Sequence, residues 1–224
     1  MSMAEFQIAE TFVSINGEGS RSGQLACFLR FPGCNLNCSF CDTKWANEPR
    51  GDWEIRKTDD LVDFVRKSGV KLITITGGEP LLQRGLPELL EKLHELPGTE
   101  AEIETNGSLP IERYDAVPWR PHFTLDCKLP GSGMQAHMLY ENYDHLQPGD
   151  AVKFVCGSRE DLDEARKVIE TFQLPDRCDV FLSPVFGRIE PADMVTYMMD
   201  HGMNNVRLQL QIHKFIWDPN AKGV

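Results

Sequence analysis

A chain of 224 residues, 41% hydrophobic and 25% charged, has the balance of a soluble globular protein and is long enough to bury a full core without a disulfide framework. Its net charge of −11 argues against a direct nucleic-acid binder, which needs clustered Lys and Arg on its surface. No stretch reaches the ~18 apolar residues of a membrane helix, and the first residues are polar where a secretory leader would be apolar, so no membrane association and a cytoplasmic location are expected.

In chain order, "ACFLRF" (26–31) reads as the first strand and "TDDLVDFVRKSG" (58–69) as a helix, with Thr58 as N-cap and Gly69 closing it. A strand over 71–76, a helix over 86–96 and strands over 101–105, 122–127 and 151–155 follow. A helix over 158–172 opens on Ser158 with Asp161 three residues on, in the manner of a capping box. A strand over 179–183, a helix over 191–202 starting on Pro191, and a strand over 206–211 complete the series. Strands alternating with helices predict a mostly parallel sheet, either open or curled into a partial barrel. The connections 106–121 and 128–150, broken by Pro and Gly, are expected to be short or irregular. No repeat or linker divides the chain, so residues 1–224 are read as one α/β domain. Polar or glycine-rich groups follow most of the strands: "TGGEP" (76–80), "ETNG" (104–107), Asp126 and Lys128, Ser183-Pro184 and "QLQIHK" (209–214). In parallel α/β folds ligands gather at that rim.

The densest chemistry lies in "GCNLNCSFCDTK" (33–44), where Cys34, Cys38 and Cys41 fall within eight residues with no fourth cysteine or histidine nearby. Seven cysteines, an odd number, in a chain expected to stay reduced fit metal ligation better than bridging. Structural zinc sites close with four ligands, and electron-carrier clusters use four thiolates. Three thiolates on a four-iron cluster leave one iron without a protein ligand, and an open coordination position is what a reactive metal site needs.

The C-x3-C-x2-C spacing, the aromatic Phe40 before the third cysteine and the GGEP turn resemble the radical S-adenosylmethionine (SAM) superfamily. That resemblance implies a partial TIM-like barrel, a 4Fe-4S cluster on Cys34, Cys38 and Cys41, and SAM chelating the open iron. The longer stretch "ETFVSINGEGSRSGQLACFLRFPGCNLNCSFCDTK", together with "QLQIHKFIWDP" near the end, resembles the 7-carboxy-7-deazaguanine synthase family. It implies contraction of 6-carboxy-5,6,7,8-tetrahydropterin to a pyrrolopyrimidine with loss of ammonia, in deazapurine (queuosine-type) biosynthesis, with Mg²⁺ as a further cofactor. The likeness is weak from about 128 to 178.

Carried residue by residue, the resemblance places Mg²⁺ on Thr43, and SAM on Gly77, Gly78, Glu79, Asp126, Lys128 and Ser183, although "DCK" departs from the family's usual Ser-Pro-Lys. It places the substrate on Asn16 (where the family often carries Gln), Gly17, Glu18, Arg30, Thr76 and His213. Taken alone, Thr43 and Glu18 read as ordinary loop residues and His213 as a structural or exposed histidine. Arg30, in an apolar strand, needs an anionic partner, either a substrate carboxylate or an internal one. The resemblance also implies a flavodoxin- or ferredoxin-type electron donor and a homodimer. Arg21, Lys44 and Arg50 are candidates for a basic rim facing an acidic donor, though scattered surface charge is the commoner reading of such residues. A glycyl-radical-enzyme activase shares the cysteine spacing but not the GEG turn, and a non-enzymatic structural metal-binding module is the remaining alternative.

Overall fold

The computed structural model describes residues 4–48, 51, 53–219 and 221–224; Arg50 lies outside them. Ten strands run in the order β1 (Glu5–Ile8), β2 (Glu10–Ile15), β3 (Leu25–Phe31), β4 (Glu54–Lys57), β5 (Leu72–Gly77), β6 (Glu100–Thr105), β7 (His122–Cys127), β8 (Ala151–Cys156), β9 (Asp179–Pro184) and β10 (Arg207–Leu208). Helices α1 (Thr58–Ser68), α2 (Leu86–His94), α3 (Arg159–Phe172), α4 (Pro191–Asp200) and α5 (His213–Ile216) lie between and after them. The main sheet has eight strands in the order β10-β9-β8-β7-β6-β5-β3-β2. Every pair from β3 to β10 is parallel and only β2 on β3 is antiparallel. The end strands β2 and β10 do not pair, so this is an incomplete barrel. A separate antiparallel pair joins β1 to β4.

The two faces of the sheet follow from a period of two in the strands. Leu29, Ile73, Ile75, Ile103, Phe123, Leu125, Val152, Phe154, Val180 and Leu182 are buried on the outer face with Leu61, Val65, Leu89, Leu93, Leu162, Ile169 and Met194 of the helices. The residues between them on the strands are largely polar: Arg30, Thr74, Thr76, Glu102, Glu104, Thr124, Asp126 and Lys153. The inner face is therefore a lining.

Helix boundaries follow local chemistry. Gly69 takes the left-handed conformation (φ 69°) that stops α1, and Ser158 Oγ accepts from Asp161 N at 3.2 Å to start α3. Two expectations need correction. Lys57, not Thr58, is the residue before the first turn of α1; Thr58 is helical and its hydroxyl donates to Glu88 Oε1 at 2.7 Å. The last strand runs only over Arg207–Leu208: Gln209 N makes the final bond to β9, at Leu182 O (2.9 Å), and beyond it the backbone leaves for the turn after β2, Ile212 N donating to Gly17 O at 3.2 Å. Strands β1, β2 and β4 were not anticipated. The 106–121 and 128–150 connections contain only short 3-10 turns, as their Pro and Gly content implied.

Candidate active site

One cavity of about 620 Å³ opens between the inner face and the loops at the carboxyl ends of the strands, within the size of a small-molecule site. All but three of the residues singled out in the sequence line it: Gly17, Glu18, Arg30, Cys34, Cys38, Cys41, Thr43, Thr76, Gly77, Gly78, Asp126, Lys128 and His213. Asn16, Glu79 and Ser183 do not.

The cysteine loop leaves β3 and is held from three sides. Ser39 donates from its backbone N to Ser132 O at 3.0 Å and from its hydroxyl to Gly131 O at 2.7 Å, so the irregular 130–132 turn clasps the loop. The Asn106 side chain reaches Cys34 Sγ at 3.5 Å. Glycines supply the third hold: a Cβ on Gly78 would sit 1.8 Å from Gly33 O, and on Gly77 2.0 Å from Phe31 O. These glycines let β5 and its turn lie directly against the chain entering the cysteine loop, locked by Gly78 N to Phe31 O (2.9 Å) and Glu79 N to Gly33 O (2.8 Å). The other cysteines stand apart: Cys27, Cys127 and Cys156 are buried in the outer core. Among the described residues, no three His, Cys, Asp or Glu side chains converge closely enough to hold a single ion, so the trio is not arranged as a mononuclear zinc site. Three soft donors on one cavity wall, with no fourth at hand, fit a larger cluster with an open corner.

Glu79 turns away from the cavity. Its Oε1 accepts from Thr105 Oγ1 (2.8 Å) and Leu81 N (3.0 Å), and its Oε2 from Asn106 N (2.7 Å). Burial pushes its carboxyl above the ordinary range, against these bonds. It ties the glycine turn to the end of β6. Ser183 is fully buried with an unpartnered hydroxyl.

The opposite wall is the 16–24 turn, which folds beneath the barrel. Asn16 is spent on structure: its amide donates to Glu102 Oε2 at 3.0 Å and its carbonyl accepts from Thr74 Oγ1 at 2.8 Å. Gly19 is gripped by Gln209, donating to Oε1 at 2.6 Å and accepting from Nε2 at 2.9 Å. The turn thereby presents Glu18 to the cavity, with Oε2 accepting from Gln211 Nε2 (3.0 Å) and Lys153 Nζ (3.2 Å). His213 packs so closely on the turn that a Cβ at Gly17 would sit 2.0 Å from its Nδ1. Burial holds its imidazole below the usual range, hence neutral near pH 7.

Arg30 finds an internal carboxylate, its Nε 3.0 Å from Glu10 Oε2. Thr76 Oγ1 donates to Glu104 Oε2 at 2.7 Å. Thr43 Oγ1 donates to Asp42 Oδ1 at 3.0 Å. Burial opposes the charge of Lys153, yet Glu18, Asp126 and Glu104 hold it well above its ordinary range; burial likewise opposes that of Lys128, which Asp126 at 2.8 Å raises. Sequence reading missed Glu10, Thr124 and Lys153, and had Glu104, Asn106 and Gln211 only as members of the polar stretches at the rim, with no role given; all six line the cavity. The available signal was a charge at period two inside a buried strand, as in "AEIET" and "AVKFV". Of the three basic residues weighed as a rim, Arg21 pairs with Glu100 at the amino end of β6, Lys44 lies after the cysteine loop, and Arg50 is outside the described residues. The chain's end reaches the cavity too: Pro219 and 221–224 line it, with Lys222 Nζ 4.1 Å from the Trp45 ring centroid.

An incomplete parallel barrel with a three-cysteine loop clasped over a glycine turn defines a radical SAM enzyme, and the Radical SAM superfamily model matches residues 28–118. The chain is 47% identical over 219 residues to the 7-carboxy-7-deazaguanine synthase of Clostridium acetobutylicum, covering 98% of this chain and 99% of the relative. It is 36% identical to that of Chlorobaculum tepidum, covering 99% and 98%. The crystal structure of QueE from Escherichia coli superposes with a TM-score of 0.73 over 92% of this chain and 93% of that one, at 24% identity, a likeness of fold. The chain belongs to the 7-carboxy-7-deazaguanine synthase family.

Proposed function

We propose that this chain contracts 6-carboxy-5,6,7,8-tetrahydropterin to 7-carboxy-7-deazaguanine with release of ammonia, using a 4Fe-4S cluster and SAM, in deazapurine biosynthesis. The observation that carries the reading is the meeting, in one cavity, of the Cys34, Cys38 and Cys41 thiols with Glu18, Arg30 and Thr76. The three thiols are the cluster ligands. When bound, the cluster and SAM supply a carbon-centred radical that removes and later returns a substrate hydrogen.

The chain's own residues bind, orient and shield. Glu18 Oε1 is buried without a partner among the described residues, and such an oxygen suits an N–H of the pterin's guanidine-like edge. Arg30 uses only Nε on Glu10, leaving its terminal nitrogens for the substrate carboxylate. Phe28, Leu36, Phe40, Val155 and Val185 line the same space and exclude water. Gly77, Gly78 and Lys128 border the cysteine loop, where SAM would lie. Mg²⁺ would take the Thr43 hydroxyl, with substrate and water completing its oxygen shell.

Family likeness further supports one domain, a homodimer and a flavodoxin- or ferredoxin-type donor. No helix among the described residues is long and apolar enough to cross a membrane, and a cytoplasmic location is part of the proposal. The test is anaerobic turnover of the reconstituted protein with carboxytetrahydropterin, SAM and reductant. Formation of 7-carboxy-7-deazaguanine is expected; an intact cluster that cleaves SAM without that product would overturn the assignment.

A further inference from the structure

We propose that Lys153 is a positioning residue, the counter-ion shared by Glu18 and Asp126 that leaves one oxygen of each without a donor; the inference rests on the reading above. Lys153 lies in the middle of β8, between Val152 and Phe154 of the outer core, and its side chain crosses the inner face with 10% exposure. Its Nζ stands 3.2 Å from Glu18 Oε2 and 3.8 Å from Asp126 Oδ2. The other donors fall on the same two oxygens: Gln211 Nε2 on Glu18 Oε2 at 3.0 Å, and Lys128 Nζ on Asp126 Oδ2 at 2.8 Å.

The remaining oxygens, Glu18 Oε1 and Asp126 Oδ1, are buried with no partner among the described residues. A buried carboxylate oxygen without a donor is costly, so its survival marks a place that a ligand completes. Glu18 comes from the turn under the barrel, and Asp126 stands beside Lys128 on the cysteine-loop side. Lys153 is the one side chain that touches both. It fixes which oxygen of each is already engaged and so which faces the ligand: a donor of the pterin at Glu18, and an amine or hydroxyl of SAM at Asp126. Neither carboxylate contact can be set independently of the other. Removal of Lys153 leaves Glu18, Asp126 and Glu104 facing one another without their shared counter-ion, and both orientations relax together.

The experiment compares wild type, Lys153→Met and Lys153→Arg. It measures the SAM dissociation constant by anaerobic equilibrium dialysis without turnover, the KM and kcat for carboxytetrahydropterin, iron content and the melting temperature. Lys153→Met is expected to weaken SAM and raise the pterin KM by about tenfold or more each, at unchanged iron content, and Lys153→Arg to restore both to within about threefold of wild type. If Lys153→Met does not fold, Lys153→Gln is read in the same way. Wild-type SAM binding in the folded neutral variant, or failure of Lys153→Arg to rescue either ligand, overturns the proposal. Absence of pterin turnover by wild type would instead remove the substrate assignment, while the SAM measurement still judges Lys153.

Discussion

Replacement of Glu102 by glutamine tests the electrostatics of the barrel floor. Glu102 is 2% exposed. Its Oε2 accepts from Asn16 Nδ2 at 3.0 Å and its Oε1 from Thr124 Oγ1 at 2.6 Å. Burial, then the neighbouring Glu104, push its carboxyl from 4.5 up to about 6, while Thr124, Arg21 and Asn16 act in the opposite direction. A carboxyl raised in the folded state binds its proton more tightly folded than unfolded. Its contribution therefore favours folding below pH 4.5 and is lost as pH rises through about 6. The displacement corresponds to about 2 kcal/mol, with no discount for solvent screening at a site this buried. Glutamine keeps the shape: its carbonyl accepts from Asn16, and its amide donates to the Thr124 hydroxyl, whose proton turns away. Glu102→Gln should match wild type near pH 4.5 and exceed it by about 2 kcal/mol at pH 7–8. Urea unfolding of both proteins at several pH values, run in parallel, measures the difference. A variant less stable than wild type at pH 8, or a difference independent of pH, would show that the ionised carboxylate is net favourable and refute the reasoning.

Gly77→Ala adds a Cβ 2.0 Å from Phe31 O at a φ of 131° that only glycine adopts readily; strain and overpacking together should cost about 2–6 kcal/mol, read as a lower melting temperature and reduced iron content after reconstitution. Asp150 is fully buried and binds Arg120 through both oxygens, at 3.1 and 2.7 Å, so Asp150→Ala should lose about 3–5 kcal/mol; a melting temperature within a degree or two of wild type would refute this. Alanine at Cys34, Cys38 or Cys41 should abolish cluster assembly, measured as iron and sulfide, while alanine at Cys178 should leave both unchanged. Deletion of 219–224 removes cavity wall but no core residue, so it should raise the pterin KM with little change in melting temperature; an unchanged KM would show that the tail is incidental to the site.

The outer face of strands β3 and β5 to β9 was legible because its signal is local: apolar residues between turn formers, with helices at period 3.6 between several of them. Strands β1 and β4 were missed because they pair with each other across almost fifty residues, a partner that no local window contains, and β2 because only one of its six residues, Ser14, is buried, so the core imposes no apolar run on it. The final strand was read too long for a similar reason, since past Gln209 the backbone bonds to Gly17, almost two hundred residues earlier, through Ile212 N. Asn16 and Glu79 were singled out as ligand contacts, yet their polar groups are occupied by Glu102 and Thr74 in one case and by Thr105, Leu81 and Asn106 in the other.

What the chain determines by itself is the reactive chemistry: three thiols within eight residues, a glycine pair after a strand, and the alternation that makes one sheet face apolar. Ligand identity and face are properties of neighbours along the backbone, so they are written there. Only the tertiary structure decided which polar side chains face the cavity and which brace it. That choice depends on donors and acceptors from β2, β6, β8 and the C-terminal segment meeting at hydrogen-bond distance, and such meetings are set by barrel curvature and register between strands far apart in sequence.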